Sequence, residues 1–410
     1  MAVEIRTVAS DEVEAWIRSE DPRWGTAPDE ELLPSFRESI EPDRSLVAVD
    51  GGRFVGGATI LTSSLGVPGG RVPAAGVTWV SVHPTHRRRG ILRSMMLRQL
   101  GDIAEAGLEP VAMLGASESA IYRRFGYGVA SFAAEFRIDT ARAAFAPPHR
   151  PLGEVELVDV DTFLRVAPEV YSRLAEQGEG MPGTIGRPAA YWLAHAADST
   201  SRREGMSPRW YAIHRGPHGA DGYLMYRLKD RWTDELADYT LRIEEMLAAP
   251  GDAERTLWRY CLDHDLVRRV EGARRPVDEP VVHVLADPRQ YISHPYDDVW
   301  VRVVDVGAAF SARRYPHEGS LVVDVSDDVC RQVAGRWRIE GGPDGANCSR
   351  TAESPDFTLD AATLGSLLLG GVPVEALARA GLIEERRPGS VVRAARLFAW
   401  HRVPWNLGEF

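Results

Sequence analysis

Three arginines, a glycine and a helix start stand together in this sequence. The run HPTHRRRGIL, residues 83–92, follows an apolar stretch from Val77 to Val82 and leads into an amphipathic segment. The first turn of a helix leaves several N–H groups without intrahelical partners, and with the helix dipole those donors form an anion site. Arg87, Arg88 and Arg89 add positive charge at the same mouth, and Gly90 sits where the backbone must come close to something. A strand, a basic turn and a helix in this order suit a pyrophosphate. A solvated helix start would use the same residues. Of the 48 basic residues only Lys229 is lysine, so an arginine triplet is a weaker signal than usual.

Downstream, GASESAIYRRFGYG holds a candidate proton donor, Tyr122. A phenol of pKa about 10 stays protonated at neutral pH and can still donate to a thiolate. Ser117 could cap a short helix carrying Tyr122, and Gly126 could end it. Taken alone, Tyr122 equally suits core packing. Tyr127 is an alternative acid, although its place fits a strand start better. His83 and His86, beside the basic loop, are alternative bases or plain surface residues.

The elements that must position these groups read as follows. Val3 to Val8 alternates like a strand, and Ser10 could cap a short helix toward Arg18. Residues 19–44 are acidic and irregular, with Trp24 and Phe36 interleaved; a merely solvated stretch would look the same. Apolar runs at Leu46 to Val49 and Phe54 to Leu61 flank Asp50-Gly51-Gly52, a hairpin signal. The helix after Gly90 repeats Leu92, Met96, Leu100 and Ile103 at helical spacing, with Gly107 placed for a C-terminal cap. Strands follow at Val111 to Leu114 and at Ser131 to Ile138. This is an α/β order within one domain, residues 1–143.

A proline-rich linker, AFAPPHRP, opens a second region, residues 144–290, with a similar order of elements. Its strand-to-helix turn, AAPGDAERTLWRY, carries acid in place of the basic cluster, so a repeat would be degenerate and without a phosphate cradle. Residues 291–410 read as an α+β third domain, with strands expected at Trp300 to Val304, Leu321 to Val325, Trp337 to Glu340 and Phe357 to Leu359.

Composition narrows the class. A chain of 410 residues allows two or three domains at about 150 residues each. A net charge of −11 argues against bulk nucleic acid or an anionic membrane as partner. Cys261, Cys330 and Cys348 lie far apart, with no zinc or disulfide spacing. No apolar run approaches the ~18 residues of a membrane span, and the first residues lack a signal-peptide core. A cytoplasmic protein is the expectation.

The segment HRRRGIL resembles the acetyl-CoA signature of the GNAT N-acetyltransferases, [R/Q]-x-x-G-x-[G/A], with Arg87, Gly90 and Leu92 at the defined places. Leu92 departs from the usual small residue. Tyr122-Arg-Arg-Phe-Gly-Tyr127 resembles the Y-x-x-x-G-[FY] ending of such domains. Four passages, VSVHPTHRRRGIL, the ASE with IYRRFGYG, VWVRVVDVGAAFSARRY and the terminal WNLGEF, together resemble the enhanced-intracellular-survival (Eis) family over essentially the whole chain. The resemblance implies tandem GNAT-like domains, the second degenerate, followed by a sterol-carrier-protein-like domain, and a homohexamer.

Carried onto this sequence, the resemblance has Val80, Ser81 and Val82 offering backbone groups to the pantetheine arm. It has Arg88, Arg89, Gly90, Ile91, Leu92 and Arg93 holding the pyrophosphate, with Arg87 beginning the signature, and places Ser117 and Glu118 near the thioester. Tyr122 would be the general acid and the terminal carboxylate of Phe410 the base. Trp79 and Glu409 would line an amine pocket, for which Asp21, Trp24 and Phe36 are further candidates; no metal is implied. The expected enzyme uses acetyl-CoA to acetylate a small cationic amine, aminoglycoside-like or polyamine. The alternatives are acetylation of protein lysine or arylamines, or a non-catalytic lipid or CoA binder with a tunnel from Leu364, Leu367, Leu368, Leu369 and Leu397.

Overall fold

The computed structural model describes residues 3–24 and 29–408, with the backbone alone for residues 21–24. The chain opens with β1 (Glu4–Thr7), α1 (Val13–Trp24) and α2 (Leu33–Ser39). The stretch expected to be irregular therefore holds the end of one helix and all of another. Val13, Trp16 and Ile17 recur at helical spacing and are buried against Val47, with Leu33 and Phe36 of α2 packed beside them. The acidic residues between them masked that period.

The hairpin β2 (Ser45–Asp50) to β3 (Arg53–Val67) turns at Gly51 and Gly52, both at positive φ (58° and 77°). Next come β4 (Gly70–Val82), α3 (Ile91–Ala106), β5 (Val111–Gly115), α4 (Ser119–Tyr122) and β6 (Gly128–Val129). The Gly107 N–H caps α3 by donating to Ile103 from a left-handed conformation.

The middle of the chain supplies β7 (Phe132–Asp139), β8 (Glu154–Val158), α5 (Val160–Tyr171), α6 (Ala189–Ala196), β9 (Trp210–Gly216) and β10 (Gly219–Lys229). A small hairpin, β11 (Trp232–Thr233) and β12 (Leu236–Ala237), precedes β13 (Tyr239–Ala248), α7 (Asp252–Leu262), β14 (Val267–Pro276) and β15 (Ile292–Asp297). The remainder is β16 (Val299–Val303), α8 (Val306–Ser311), β17 (Gly319–Ser326), β18 (Gly335–Gly342), β19 (Gly345–Arg350), β20 (Phe357–Asp360), α9 (Ala361–Leu367), α10 (Val374–Arg379), β21 (Ile383–Glu385) and α11 (Ser390–Phe398).

Two seven-stranded sheets share one plan. The first runs β1-β2-β3-β4-β5-β16-β6 and the second β8-β9-β10-β13-β14-β7-β15. In each, the fourth and fifth strands form the parallel pair and the other neighbours are antiparallel. The sheets exchange strands. β7, expected to close the first domain, lies in the second sheet, and β16, expected to open the third domain, lies inside the first sheet. Alternation in β7 marks a half-buried strand without naming its neighbour. All five residues of β16 are buried, as an inner strand covered on both faces requires.

The third domain is a five-stranded sheet, β19-β18-β17-β20-β21, with its helices. Helix α9 lies hard against the first sheet: a Cβ on Gly128 would sit 1.8 Å from the Ala362 carbonyl oxygen, and one on Gly365 2.2 Å from that of Val301. One core therefore spans the first and third domains. Leu364, Leu367, Leu368, Leu369 and Leu397 belong to it, packed in the same cluster as Tyr122 and Phe125.

Candidate active site

The site begins where β4 and β5 part. Their parallel pairing runs from Ala74↔Val111 to Gly76↔Met113 and goes no further, although β4 continues to Val82. On its other side β4 stays paired with β3, through a register shift beside Trp79. Trp79 takes φ 53°, a conformation that a bulky residue adopts only under constraint. The bulge turns the end of β4 away from β5. Val80, Ser81 and Val82 thus lie past the end of the β4–β5 pairing.

The basic loop lies at the end of this opening. Gly90, at φ 82°, is the N-cap of α3, and a Cβ there would meet nothing within 4 Å. Ser94 donates to the Gly90 carbonyl oxygen at 3.0 Å, so the N–H groups of Ile91, Leu92 and Arg93 precede the helical ladder. Arg88 is also left-handed, at φ 63°. Arg87, Arg88 and Arg93 are exposed and have no ion-pair partner among the described residues. Arg89 instead lies 3.5 Å from Asp50. His83 and His86 brace the loop: both bond Thr85 Oγ1, and His86 Nε2 meets Asp50 Oδ2 at 3.1 Å. The hydrogen bond to His86, aided by the charge of Arg89, holds the Asp50 carboxyl below its ordinary value.

Tyr122 lies beyond the end of β5, where the parallel pair has opened. Its side chain is 4% exposed. Burial pushes its phenol above the ordinary value, and a side-chain hydrogen bond with Ser117 pulls it part of the way back. Ser117 and Glu118 are exposed, and Glu118, not Ser117, is the N-cap of α4. Tyr127 packs edge-on to Tyr122 with ring centroids 6.2 Å apart, and burial raises its phenol further still. The third domain braces this turn through Arg123, which donates to Asp360 at 2.8 Å.

On the α1 and α2 side, Trp79 meets Phe36 edge-on at 5.3 Å and Trp16 at 5.9 Å. Two residues absent from the sequence-based set belong here. Glu20, 2% exposed, accepts from Trp16 Nε1 at 2.8 Å and from the Ser81 hydroxyl. Arg202 of the second domain lies over Phe36 at 5.4 Å. The i,i+4 spacing of Trp16 and Glu20 was the available signal for the first. Asp29 and Glu31 are engaged with the second domain: Asp29 accepts from Ser199 and Ser201 at 2.8 and 2.7 Å, and Glu31 from the Thr200 N–H at 2.9 Å. The side chains of Asp21 and Trp24, together with Glu409 and Phe410, lie outside the described residues.

Comparison with known proteins bears on this geometry. Residues 4–130 and 183–303 each match an acetyltransferase (GNAT) domain family, and residues 306–407 match the sterol carrier protein domain. An uncharacterized N-acetyltransferase of Streptomyces coelicolor is 37% identical over 416 residues, spanning 99% of each chain. The N-acetyltransferase Eis of Mycobacterium tuberculosis is 34% identical over 382 residues, 90% of each chain. The crystal structure of Eis1 from Mycobacterium abscessus has a TM-score of 0.85 at 36% identity, covering 99% of this chain and 100% of that one. The chain belongs to the Eis family of GNAT N-acetyltransferases.

As an Eis-family member it is an N-acetyltransferase with acetyl-CoA as cosubstrate. The GCN5-related N-acetyltransferase of Anabaena variabilis shares the fold, with a TM-score of 0.85 at 19% identity. The residues present suit a long anionic cosubstrate. They offer a strand edge past the end of the β4–β5 pairing, the helix-start N–H groups of Ile91 to Arg93, open space at Gly90 and exposed arginines with no ion-pair partner among the described residues. Among the described residues of this Eis-family chain, no cluster of His, Cys, Asp and Glu could hold a metal, and no helix is long and apolar enough to cross a membrane.

Proposed function

We propose that this enzyme acetylates primary amines of small polycations, aminoglycoside-like or polyamine, by direct attack within a ternary complex. The observation that carries the reading is the buried Tyr122 phenol beside Ser117 at the open ends of β4 and β5. Backbone groups of Val80, Ser81 and Val82 take the pantetheine arm. The donors at Gly90 to Arg93, with Arg87 to Arg89, take the pyrophosphate. Acetyl-CoA supplies the activated acyl group, and Ser117 and Glu118 lie along its route.

Attack requires an uncharged amine and ends with a thiolate that needs a proton. A phenol raised by burial stays protonated across neutral pH and yields its proton only to a strong base held in the same water-poor place. Ser117 eases that step by stabilising the phenolate. The amine is drawn by the net charge of −11 and meets the rings of Trp79 and Phe36, a cation–π surface. Asp21, Trp24 and Glu409 complete the proposed pocket. The Phe410 carboxylate takes the amine proton. At pKa about 3.5 it is a poor base for a free ammonium, so it acts by orienting the amine or through a shielded water.

A panel of aminoglycosides, polyamines, arylamines and lysine peptides, assayed for free CoA, tests the acceptor class. Turnover confined to arylamines or peptides would overturn it. Residues appended after Phe410 should abolish turnover and leave CoA binding intact, whereas full activity refutes the base role. The family relationship also supports a cytoplasmic homohexamer, for which light scattering should give six times the 45.2 kDa chain mass.

A further inference from the structure

The second sheet contains the same opening as the first, and the chain's own tail fills it. The parallel pairing of β13 with β14 stops at Ile243↔Gly272. Beyond that point Arg275 Nη1 donates across the gap to the Met246 carbonyl oxygen at 2.7 Å. Trp405 Nε1 donates to the Arg274 carbonyl oxygen at 2.6 Å, and the Arg275 guanidinium lies 5.0 Å from the Trp405 ring. Trp405 and Leu407 pack with Phe163, Tyr223 and Leu247, and every residue from Pro404 to Gly408 is buried.

A polar cluster faces Gly408 of this tail. Glu245 on β13 accepts two bonds from Arg187, at 2.7 and 2.9 Å, with His195 Nε2 at 2.9 Å and the Tyr223 hydroxyl at 2.5 Å. Burial alone would raise the Glu245 carboxyl, but Arg187 and His195 override it and hold it well below the carboxylate range. Arg187 Nε, the Tyr191 hydroxyl and Asn406 Oδ1 are buried with no partner among the described residues. A Cβ on Gly408 would sit 2.2 Å from the Tyr191 hydroxyl oxygen and 2.7 Å from Arg187 Nη2. The segment carrying Arg187 is laid along the catalytic sheet: Gly66 N–H donates to Thr184 and Gly186 N–H to Ser64, both at 2.8 Å.

We propose that the opened strands of the second domain are a socket for the C-terminal tail. Arg187, fixed by Glu245, is the positioning residue that sets where the chain end lies against the acceptor site, and Tyr191 is the wall of the socket. The inference rests on the reading that the chain end takes part in acetyl transfer. The second domain has thus exchanged cofactor binding for placement of a group belonging to the first domain's chemistry.

Full-length Gly408→Ala, Arg187→Lys and the double variant Gly408→Ala/Tyr191→Phe test this. Gly408→Ala and Arg187→Lys should each lower kcat at least tenfold, with the KM for acetyl-CoA unchanged, in protein that stays folded at the assay temperature. Removing the Tyr191 oxygen, the nearer of the two atoms the new methyl strikes, should restore part of the Gly408→Ala loss in the double variant. Calorimetry with acetyl-CoA should give one site per chain. Unchanged kcat in both single variants, a parallel rise in the KM for acetyl-CoA, no recovery in the double variant, or two acetyl-CoA sites per chain would overturn the proposal. If the chain extended beyond Phe410 stays active while Gly408→Ala does not, the socket stands and only the base role falls.

Discussion

Arg302 Nη2 donates to Asp327 Oδ2 at 2.6 Å, with side chains 0% and 2% exposed. Arg302 lies on β16 within the first sheet, and Asp327 follows β17 in the third domain. The same guanidinium lies against Gly126, where a Cβ would be 2.5 Å from Nη1, so the pair supports the turn that carries Tyr122. Removing one partner of a buried pair strands a charge at a cost of about 3–5 kcal/mol. Asp327→Ala should therefore lower the melting temperature sharply and reduce kcat together, by thermal and urea unfolding alongside the assay. An unaltered unfolding curve would show that the pair does not join the domains.

Tyr122→Phe should lower kcat by about 10²–10³ while the Kd for acetyl-CoA stays within about twofold, because it removes only a proton delivered in the transition state. Burial raises the Tyr122 phenol, so its acid form persists to higher pH than that of a free tyrosine. Wild-type kcat should accordingly show no alkaline loss from this group below pH about 10. Stopped assays across pH 6–10 check both statements, and a Phe variant retaining half its turnover would remove Tyr122 from the mechanism.

Gly90→Ala places a methyl in open space but holds a chiral residue at φ 82°. A left-handed conformation costs such a residue about 1–2 kcal/mol, and relaxing it tilts the amides at the start of α3. The Kd for CoA should rise about five- to thirtyfold, with a smaller effect on dephosphorylated pantetheine thioesters. Equal losses for both ligands would place the pyrophosphate elsewhere.

Trp79→Ala removes the ring between Phe36 and Trp16. A cation–π contact contributes roughly 0.5–2 kcal/mol, so KM for a polyamine should rise about two- to thirtyfold, with CoA affinity retained. A parallel loss for a neutral arylamine would assign Trp79 to packing and not to charge recognition.

Glu254 contributes to the pH dependence of stability. Burial, and next the neighbouring Glu279, push its carboxyl up to about 7 against the pull of Arg275. A folded-state value above the unfolded 4.5 means that the native protein holds the extra proton between these limits. Its contribution to stability therefore falls as pH rises from about 4.5 to about 7 and is level above that, by about 3 kcal/mol if the whole shift is expressed. Glu254→Gln should flatten the difference in unfolding free energy between pH 5 and pH 8, measured with urea. An unchanged slope would assign the pH dependence to other groups.

Much of the catalytic domain was legible because its signals are local. The Asp50-Gly51-Gly52 turn, the Gly90 start and Gly107 end of α3, and the turn carrying Tyr122 each depend on residues a few positions apart. The turn before α7 is likewise local, and its acidic residues, Asp252 and Glu254, stand where the first domain has its arginines. Glu20 was missed because its meaning is a bond to Ser81, sixty-one positions away. The exchange of β7 and β16 between sheets was hidden for a related reason: alternation tells a strand which face to bury and never which neighbour to pair with. Sequence alone determined the helix starts, the turns and the loss of basic charge in the second domain, since those are set by backbone conformation and nearest neighbours. Tertiary structure alone decided which strands share a sheet and where the buried tail runs, since both depend on surfaces that exist only after distant segments have packed.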